Sequence, residues 1–274
     1  MKSEFCLNYK EESSDIKLLT EIYFRLRTNF SFERNKELIL MYEKKIKGFG
    51  YIKDLTINEI LNSKDEDVKR TGLSYIFGCN PNQISLTNDE AISGEIVYHW
   101  GDLVLRELEL FEGNLPKYVC GEVYLNYLES FKGNLPEYVG LHLSLPALRF
   151  MKGNLPKYVG YDLDLDLDLG CFDFDFFESN FPEYIGSDLD LRSLQYFEGN
   201  LPKYVGSSLI LDSISFLKSD LPKHIGDCLY LRNLMSFQGN LPDYVYNFIF
   251  LNSKLSEETK NLFIQKFGDK VVFN

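Results

Sequence analysis

Aspartates that alternate with single apolar residues are the sequence feature with the clearest capacity for chemistry. This acidic belt consists of Asp162, Asp164, Asp166, Asp168, Asp173 and Asp175. Between residues 158 and 191 the chain has ten acidic residues and neither lysine nor arginine. Because alternate residues of a β-strand share a side, the carboxylates would line one surface and the leucines the opposite one.

Three interpretations of the acidic belt are open: a solvated strand surface, a docking patch for a basic partner, and a calcium site. Oxygen ligands at alternate positions are typical of calcium loops, but leucines fill the intervening positions here and the glycine is misplaced. Carboxylates in a row on one strand are also about 6–7 Å apart, which is too far for a single ion. The spacing therefore disfavours calcium, and we expect no metal site.

No histidine lies in a catalytic motif. The histidines are His99, His142 and His224, and His224 stands where the other repeats have tyrosine. The chain contains no GxSxG, Walker, HExxH or GxGxxG motif. A cysteine–histidine dyad is the remaining catalytic option, and nothing in the spacing favours it. We predict a protein that is not an enzyme and that has no cofactor.

The five cysteines are scattered and never form a CxxC pair. Free thiols in a reducing cytosol fit this distribution better than a disulfide framework or a zinc site. The N-terminal residues lack the basic start and apolar stretch of a secretory signal. No run of about 18 apolar residues is present that could span a membrane. We therefore expect a cytoplasmic protein without a membrane partner.

The net charge of −12 is concentrated in the second part of the chain. Residues 1–80 contain 14 Lys and Arg against 13 Asp and Glu, whereas residues 81–274 contain 15 against 28. A nucleic-acid backbone is bound by cationic side chains that displace its counterions, so this acidity argues against direct nucleic-acid binding. It is compatible with a protein partner, including a basic one.

A repeated phrase, Gly-Asn-Leu-Pro-x-Tyr-Val-Gly, organises the second part of the chain. Its proline recurs at Pro116, Pro136, Pro156, Pro182, Pro202, Pro222 and Pro242. The period is 20 residues, with one interval of 26 that contains the acidic belt. A fixed period of about 20 to 50 residues is the signature of a solenoid, in which each coil buries its apolar side against its neighbours.

A pair of aliphatic residues, usually leucines, separated by one residue precedes each phrase, and a final pair follows the last one. Each pair predicts a short strand with both aliphatic residues inward. The pairs are Leu103/Leu105, Val123/Leu125, Leu143/Leu145, Leu163/Leu165, Leu189/Leu191, Leu209/Leu211, Leu229/Leu231 and Ile249/Leu251. A column of large apolar residues follows and should also be core: Phe111, Phe131, Met151, Phe177, Phe197, Leu217 and Phe237. The Gly-Asn step predicts a turn with positive φ, and the proline should lie outside the strands.

The Leu-x-Leu pairs followed by Leu-Pro at a fixed offset resemble a short leucine-rich repeat of bacterial and viral proteins, with about 20 residues per turn. The resemblance covers roughly residues 101–252 and implies a binding scaffold with a parallel β surface, not an enzyme. That family usually has asparagine three residues after the second strand leucine, where this chain has Leu108, Leu128 or Leu148. The asparagine ladder of the family is therefore missing or moved to the Gly-Asn step.

The predicted fold class is α+β in three parts. Residues 1–80 form a small helical N-terminal domain, with helices over about 16–30 and 32–47 and capping boxes beginning at Thr56 and Ser63. Residues 81–252 form the solenoid, with seven units and a final strand. Residues 253–274 form a C-terminal cap whose helix begins at Ser256, because an open solenoid must cover its end coil.

The outward side of the Leu-x-Leu strands is the second candidate surface, because its residues vary while the core positions repeat. The candidate binding residues there are Tyr124, Asp164, Asp190, Tyr230, Phe250, Arg106, Arg192 and Arg232. Variation at outward positions is expected of a surface adapted to one partner and also of unconstrained solvent positions. The exposed aromatic residues favour the first interpretation, since aromatic anchors dominate interface energies.

The leading functional hypothesis is a protein-interaction module that binds its partner through this sheet surface or through the acidic belt. One alternative is an acidic mimic of nucleic acid that inhibits a nucleic-acid-binding protein, although Lys117, Lys157, Lys203 and Lys223 interrupt its charge. A further alternative is a structural or adhesive component of a larger assembly. The sequence does not identify the partner.

Overall fold

The computed structural model describes residues 57–77, 79–93, 95–165, 181–192, 194, 197 and 199–274. The chain divides into two compact units, Met1–Leu86 and Thr87–Asn274. The helices expected over about 16–30 and 32–47 and the cap at Thr56 lie outside the described residues. No helix in the described ranges is both long and apolar enough to cross a membrane.

The described part of the first unit is mainly helical. It contains α1 (Ile57–Leu61), α2 (Glu66–Phe77), a 3-10 turn (Pro81–Gln83) and the strand β1 (Ile84–Ser85). The N-terminus of α2 is capped by Asp65, whose Oδ1 accepts the backbone N–H groups of Asp67 and Val68. The predicted capping box at Ser63 is therefore wrong: the Ser63 hydroxyl accepts the N–H of Asp65 instead.

The second unit is a parallel-β solenoid, as predicted. After α3 (Asn88–Ile92), each coil contributes one strand to a tyrosine sheet and one to a leucine sheet. The tyrosine sheet runs through β2 (Tyr98–His99), β5 (Tyr118–Val119), β8 (Tyr138–Val139), β11 (Tyr158–Val159), β13 (Tyr184–Ile185), β15 (Tyr204–Val205), β18 (His224–Ile225) and β21 (Tyr244–Val245). Its neighbouring strands pair in parallel.

The leucine sheet is nine-stranded and contains the Leu-x-Leu segments. Its strands are β3 (Leu103–Val104), β6 (Val123–Tyr124), β9 (Leu143–Ser144), β12 (Leu163–Asp164), β14 (Leu189–Asp190), β16 (Leu209–Ile210), β19 (Leu229–Leu231), β22 (Ile249–Leu251) and β23 (Val271–Phe273). Leu163 pairs with Leu189 across the 26-residue interval, so the additional residues do not shift the register.

The third side of the coils has shorter sheets. One contains β4 (Leu110–Asn114), β7 (Ser130–Asn134) and β10 (Phe150–Lys152), and the other contains β17 (Phe216–Leu217) and β20 (Ser236–Phe237). The Gly-Asn steps of the first two coils therefore lie inside β4 and β7 and not in a turn.

The core is continuous along the solenoid and is built from the predicted columns. All eight Leu-x-Leu pairs are buried. In the large apolar column Phe131, Phe197 and Leu217 are buried, whereas Phe111 and Phe237 are partly buried. Phe177 and the Met151 side chain lie outside the described parts of the chain. The prediction that alternation places the leucines inside is confirmed.

The tyrosines that follow the prolines form a stacked ladder. From Tyr138 through Tyr158, Tyr184, Tyr204 and His224 to Tyr244, successive rings have centroids 4.4–4.9 Å apart. This is the coil spacing of about 4.8 Å that parallel strand pairing imposes. Each ring thus packs against the equivalent ring of the next coil.

Glycine is required where neighbouring coils approach most closely. Gly133 has φ of 158°, and a Cβ there would lie 1.7 Å from the carbonyl oxygen of Gly113. Positive φ is confirmed at Gly113, Gly133 and Gly153, but it does not extend to Gly239. At Gly239 close packing is the reason instead, because a Cβ would lie 2.3 Å from the carbonyl oxygen of Ser219.

Side chains at the Gly-Asn step form a surface ladder between coils, which differs from the buried asparagine ladder of the resembled family. The side-chain amide of Asn134 donates to Oδ1 of Asn114 over 2.7 Å. Asp220 plays a similar part further along, accepting the backbone N–H of Asn240 at 2.8 Å. These groups are exposed, so the ladder joins coils at the surface and does not fill the core.

Local caps cover both ends of the second unit. At one end the Asn88 side chain accepts the N–H of Val104 and donates to its carbonyl, which satisfies the edge of β3. At the other end α4 (Glu257–Phe267) begins at the predicted Ser256 cap and buries Phe263. The strand β23, which pairs in parallel with β22, was not expected, so Ile249–Leu251 is not the final strand.

Replacing Phe197 with alanine should lower the free energy of unfolding by about 3–5 kcal/mol, because the ring is buried and its removal leaves a cavity. Phe216→Ala is the matched control, since that ring is 61% exposed and its loss should change stability by less than about 0.5 kcal/mol. Urea unfolding measures both. A loss below about 1 kcal/mol for Phe197→Ala would show that the column is not core.

Burial lowers the pKa of His224, which stacks between Tyr204 and Tyr244. The unfolded chain therefore takes up the proton first, and His224 costs stability as the pH falls through the ordinary histidine pKa of about 6.5. His224→Tyr should lose less stability than the parent between about pH 8 and pH 5.5, measured by urea unfolding. Tyr204→His should lose more, and equal losses in all three proteins would refute the assignment.

Candidate binding surface on the leucine sheet

The outward side of the leucine sheet has three columns of side chains. Because both strand leucines point inward, the residues before, between and after them point outward. The column between the leucines contains Val104, Tyr124, Ser144, Asp164, Asp190, Ile210, Tyr230 and Phe250. Asp164 and Asp190 are exposed, Ser144 is buried, and the others are half-buried. We call these three columns the leucine-sheet face.

Four carboxylates lie on, or immediately before, the adjacent strands β12 and β14. Asp162 and Asp164 flank Leu163, and Asp188 and Asp190 flank its pairing partner Leu189. We call Asp162, Asp164, Asp188 and Asp190 the aspartate block. Equivalent positions on adjacent coils are about 4.8 Å apart, so the block is a compact concentration of negative charge.

Hydrogen bonds hold most of the aspartate block in place. Asp162 accepts the backbone N–H of Asp188 at 3.3 Å, and its other oxygen lies 3.1 Å from Nδ1 of His142. Asp188 accepts the backbone N–H of Ser208 at 2.7 Å. Asp164 accepts the hydroxyl of Ser144 at 3.1 Å. Backbone and hydroxyl donors thus orient these carboxylates without neutralising them.

Asp190 is the member of the aspartate block with a strong cationic partner. The Arg192 guanidinium reaches both of its oxygens, with a closest distance of 2.6 Å. Arg192 therefore balances Asp190 and stays on the surface, with 67% of its side chain exposed. The predicted residues Asp164, Asp190 and Arg192 do form one group.

An aromatic platform lies toward the C-terminal end of the leucine-sheet face. Tyr230 and Phe250 stack with centroids 4.9 Å apart and an interplanar angle of 4°. The Arg232 guanidinium lies 4.6 Å from the Tyr230 centroid and 5.1 Å from that of Phe250, and it pairs with Asp212 at 2.6 Å. Burial raises the pKa of the Tyr230 hydroxyl. The predicted Tyr230, Phe250 and Arg232 therefore form a rigid unit.

Two open grooves lie on the leucine-sheet face. The larger, of about 510 Å³, is lined by Asp188, Arg192, Ser208, Ile210, Asp212, Ser213, Tyr230 and Arg232. The smaller, of about 320 Å³, is lined by Tyr124, His142, Leu143, Ser144, Asp162 and Asp164. The larger groove therefore joins the aspartate block to the aromatic platform, and the smaller one joins the block to Tyr124.

The remaining predicted residues are further apart or undescribed. Arg106 is exposed on the first coil, six coils from Arg232, which at about 4.8 Å per coil is too far to share one small ligand. Within the acidic belt only Asp162 and Asp164 are described. Asp166, Asp168, Asp173 and Asp175 lie outside the described residues.

From the column that precedes the leucines, sequence reasoning named only Asp162 as a candidate. His142, Asp188 and Ser208 line the grooves, yet they were not among the candidate residues. The signal was present, because a period of two places the residue before an inward leucine on the same side as the residue after it.

A histidine–carboxylate pair lies on the leucine-sheet face, and burial perturbs two of the described cysteines. His142 and Asp162 are paired, but the nearby Ser144 hydroxyl donates to Asp164. Burial raises the pKa of Cys120 to about 12 and that of Cys79 to about 11, so neither thiol ionises near neutral pH. Among the described residues no cluster of three His, Cys, Asp or Glu side chains could hold a metal ion.

Comparisons of the chain with protein-family models, with curated proteins and with solved structures found no match.

Replacing Tyr230 with alanine should lower the free energy of unfolding by about 0.5–1.5 kcal/mol, because the substitution removes an aromatic stack. Tyr127→Ala is the control, since that ring is 60% exposed and should contribute less than about 0.5 kcal/mol. Urea unfolding of both variants measures the difference. A Tyr230→Ala loss well above this range would make Tyr230 a core residue and not part of a surface platform.

Proposed function

We propose that this protein is a non-enzymatic interaction module that binds a protein partner through the leucine-sheet face. The observation that supports this most strongly is the difference between the inward and the outward residues of each strand. The inward leucines repeat in every coil, whereas the outward positions combine a stacked aromatic pair, ordered carboxylates and two grooves. Aromatic and arginine residues in desolvated pockets are the usual anchors of protein interfaces.

The proposal includes a kinship with short leucine-rich repeats, in which a parallel sheet serves as the binding surface. The Leu-x-Leu strands of the leucine sheet support it. The free cysteines Cys79, Cys120 and Cys228 support a reducing compartment such as the cytoplasm.

The distribution of charge favours docking over mimicry of a nucleic acid. A mimic needs carboxylates at phosphate-like intervals along a continuous surface. On the described leucine-sheet face four of them cluster at β12 and β14, whereas the strands within two coils present Ser144 and Tyr124 on one side and Ile210 and Tyr230 on the other. Such a mixed surface matches one partner and not a uniform polyanion site.

Photocrosslinking from defined positions tests the proposed surface. A benzophenone amino acid placed at Tyr124 or Ile210 should capture a discrete partner from an extract of the native host, whereas one at the exposed Phe216 on the third side should not. The captured protein is then purified and its affinity measured.

Tyr124→Ala or Phe250→Ala should weaken binding of the purified partner by about 2 kcal/mol, which is the contribution of an aromatic hot spot. Tyr127→Ala should leave the affinity unchanged. Equal capture from Phe216 would refute binding through the leucine-sheet face. Partner affinities that are unchanged by Tyr124→Ala and Phe250→Ala would also refute it.

A further inference from the structure

We propose that the leucine-sheet face recognises an extended protein segment in which a lysine or arginine stands three residues from a large apolar side chain. This inference rests on the proposed function and specifies the chemistry of the partner. The cationic side chain would lie on the aspartate block, and the apolar one would pack in the larger groove against Ile210 and Tyr230.

Charge complementarity supports the cationic position. Two of the charged pairs beside the larger groove are internally balanced, Arg192 with Asp190 and Arg232 with Asp212. Within the described residues the hydrogen bonds to Asp188 and Asp164 come instead from neutral donors, the Ser208 N–H and the Ser144 hydroxyl. Both carboxylates are exposed, so the aspartate block carries negative charge that an incoming cation would neutralise.

The form of the site favours a side-chain cation over a metal ion. The described residues contain no cluster of three ligating side chains that could hold a metal. A guanidinium or ammonium group at the end of a flexible side chain can instead bridge carboxylates about 5–7 Å apart on neighbouring coils.

The apolar position follows from the groove itself. Its lining combines Asp188 on one side with Ile210, Tyr230 and Arg232 on the other. The stacked Tyr230 and Phe250 rings are already held by Arg232, so little conformational freedom is lost when a side chain packs on them.

The separation of the two positions sets the spacing in the partner. Asp188 immediately precedes β14, whereas Tyr230 is on β19, two coils further along the leucine sheet. Two coil spacings are about 10 Å, and an extended polyproline II chain advances about 3.1 Å per residue with three residues per turn, so that every third side chain points to the same side. A segment that runs along the solenoid would thus place its cationic and apolar side chains three residues apart.

Selection from a phage-displayed library of random peptides on the immobilised full chain tests the proposal. We expect the recovered peptides to be enriched in lysine or arginine with an aromatic or large aliphatic residue three positions away. The same library is selected on an Asp164→Asn/Asp188→Asn variant, in which asparagine Oδ1 can still accept the Ser144 and Ser208 hydrogen bonds. That enrichment should then be lost.

Glu109→Gln/Glu129→Gln is the matched control. It removes the same charge from exposed positions on the third side, and it should preserve the enrichment. A synthetic peptide from the selection should bind the parent and the control equally and the aspartate variant about tenfold more weakly. Its affinity for the parent should fall as salt is added, because exposed charge pairs are screened.

The outcomes separate this inference from the proposed function. Peptides that lose binding with Tyr230→Ala but not with Asp164→Asn/Asp188→Asn would overturn the cationic specificity and leave the surface intact. Peptides whose binding is unchanged by Tyr230→Ala and by Asp164→Asn/Asp188→Asn would overturn both this inference and the proposed function. If calcium chloride alone raised the melting temperature of the parent and not of the aspartate variant, the block would be a metal site and the inference would be wrong.

Discussion

Backbone hydrogen bonding between successive coils is the constraint on which the rest of the structure depends. Leu103 donates to Glu122, Val123 to His142 and Leu143 to Asp162, each over 2.8–3.0 Å. These bonds hold equivalent residues about 4.8 Å apart, so every side chain lies against its counterpart in the next coil. Leucines and tyrosines fill this spacing by contact and stacking. Glycine is needed wherever a carbonyl of the preceding coil occupies the place of a Cβ, as at Gly133.

The same spacing creates an electrostatic problem, because charges of one sign in a column would repel. The tyrosine sheet avoids this repulsion by alternation: Glu137 pairs with Lys117 at 3.5 Å and with Lys157 at 3.1 Å. On the leucine sheet Asp190 and Asp212 pair with arginines, but other carboxylates receive neutral donors, as when Asp188 accepts the N–H of Ser208 in the following coil. Such bonds stabilise an ionised carboxylate without cancelling its charge. Negative charge is therefore retained on one sheet and compensated on the other, which gives the protein two chemically different sides.

The sequence alone was sufficient to predict the features that repeat in every coil. Inward leucines, the buried Phe197 and the parallel register follow from spacing alone, and the Ser256 cap follows from local hydrogen bonding. The predictions were incomplete where tertiary contacts decide. Strand β23 depends on the open edge of β22, and α2 begins at Asp65 although Ser63 also fits a capping pattern. For the candidate site, Tyr230, Phe250 and Arg232 were among the residues named from the sequence, and the structure places their side chains in contact. The contribution of His142 and Asp188 becomes evident only when the grooves are formed by three columns of neighbouring coils.

Stability and the proposed recognition depend on different side chains of the same strands. In β19, Leu229 and Leu231 are fully buried, whereas Tyr230 between them faces outward and contacts Phe250 and Arg232. The fixed backbone spacing transmits the order of the core to the surface: the outward rings stack because the inward leucines hold their strands in register. An outward substitution can therefore change the chemistry of the face while the coil remains intact. A change in register would displace every outward column at once. The outward residues of such a face can differ one at a time, because a core that is the same in every coil fixes their positions.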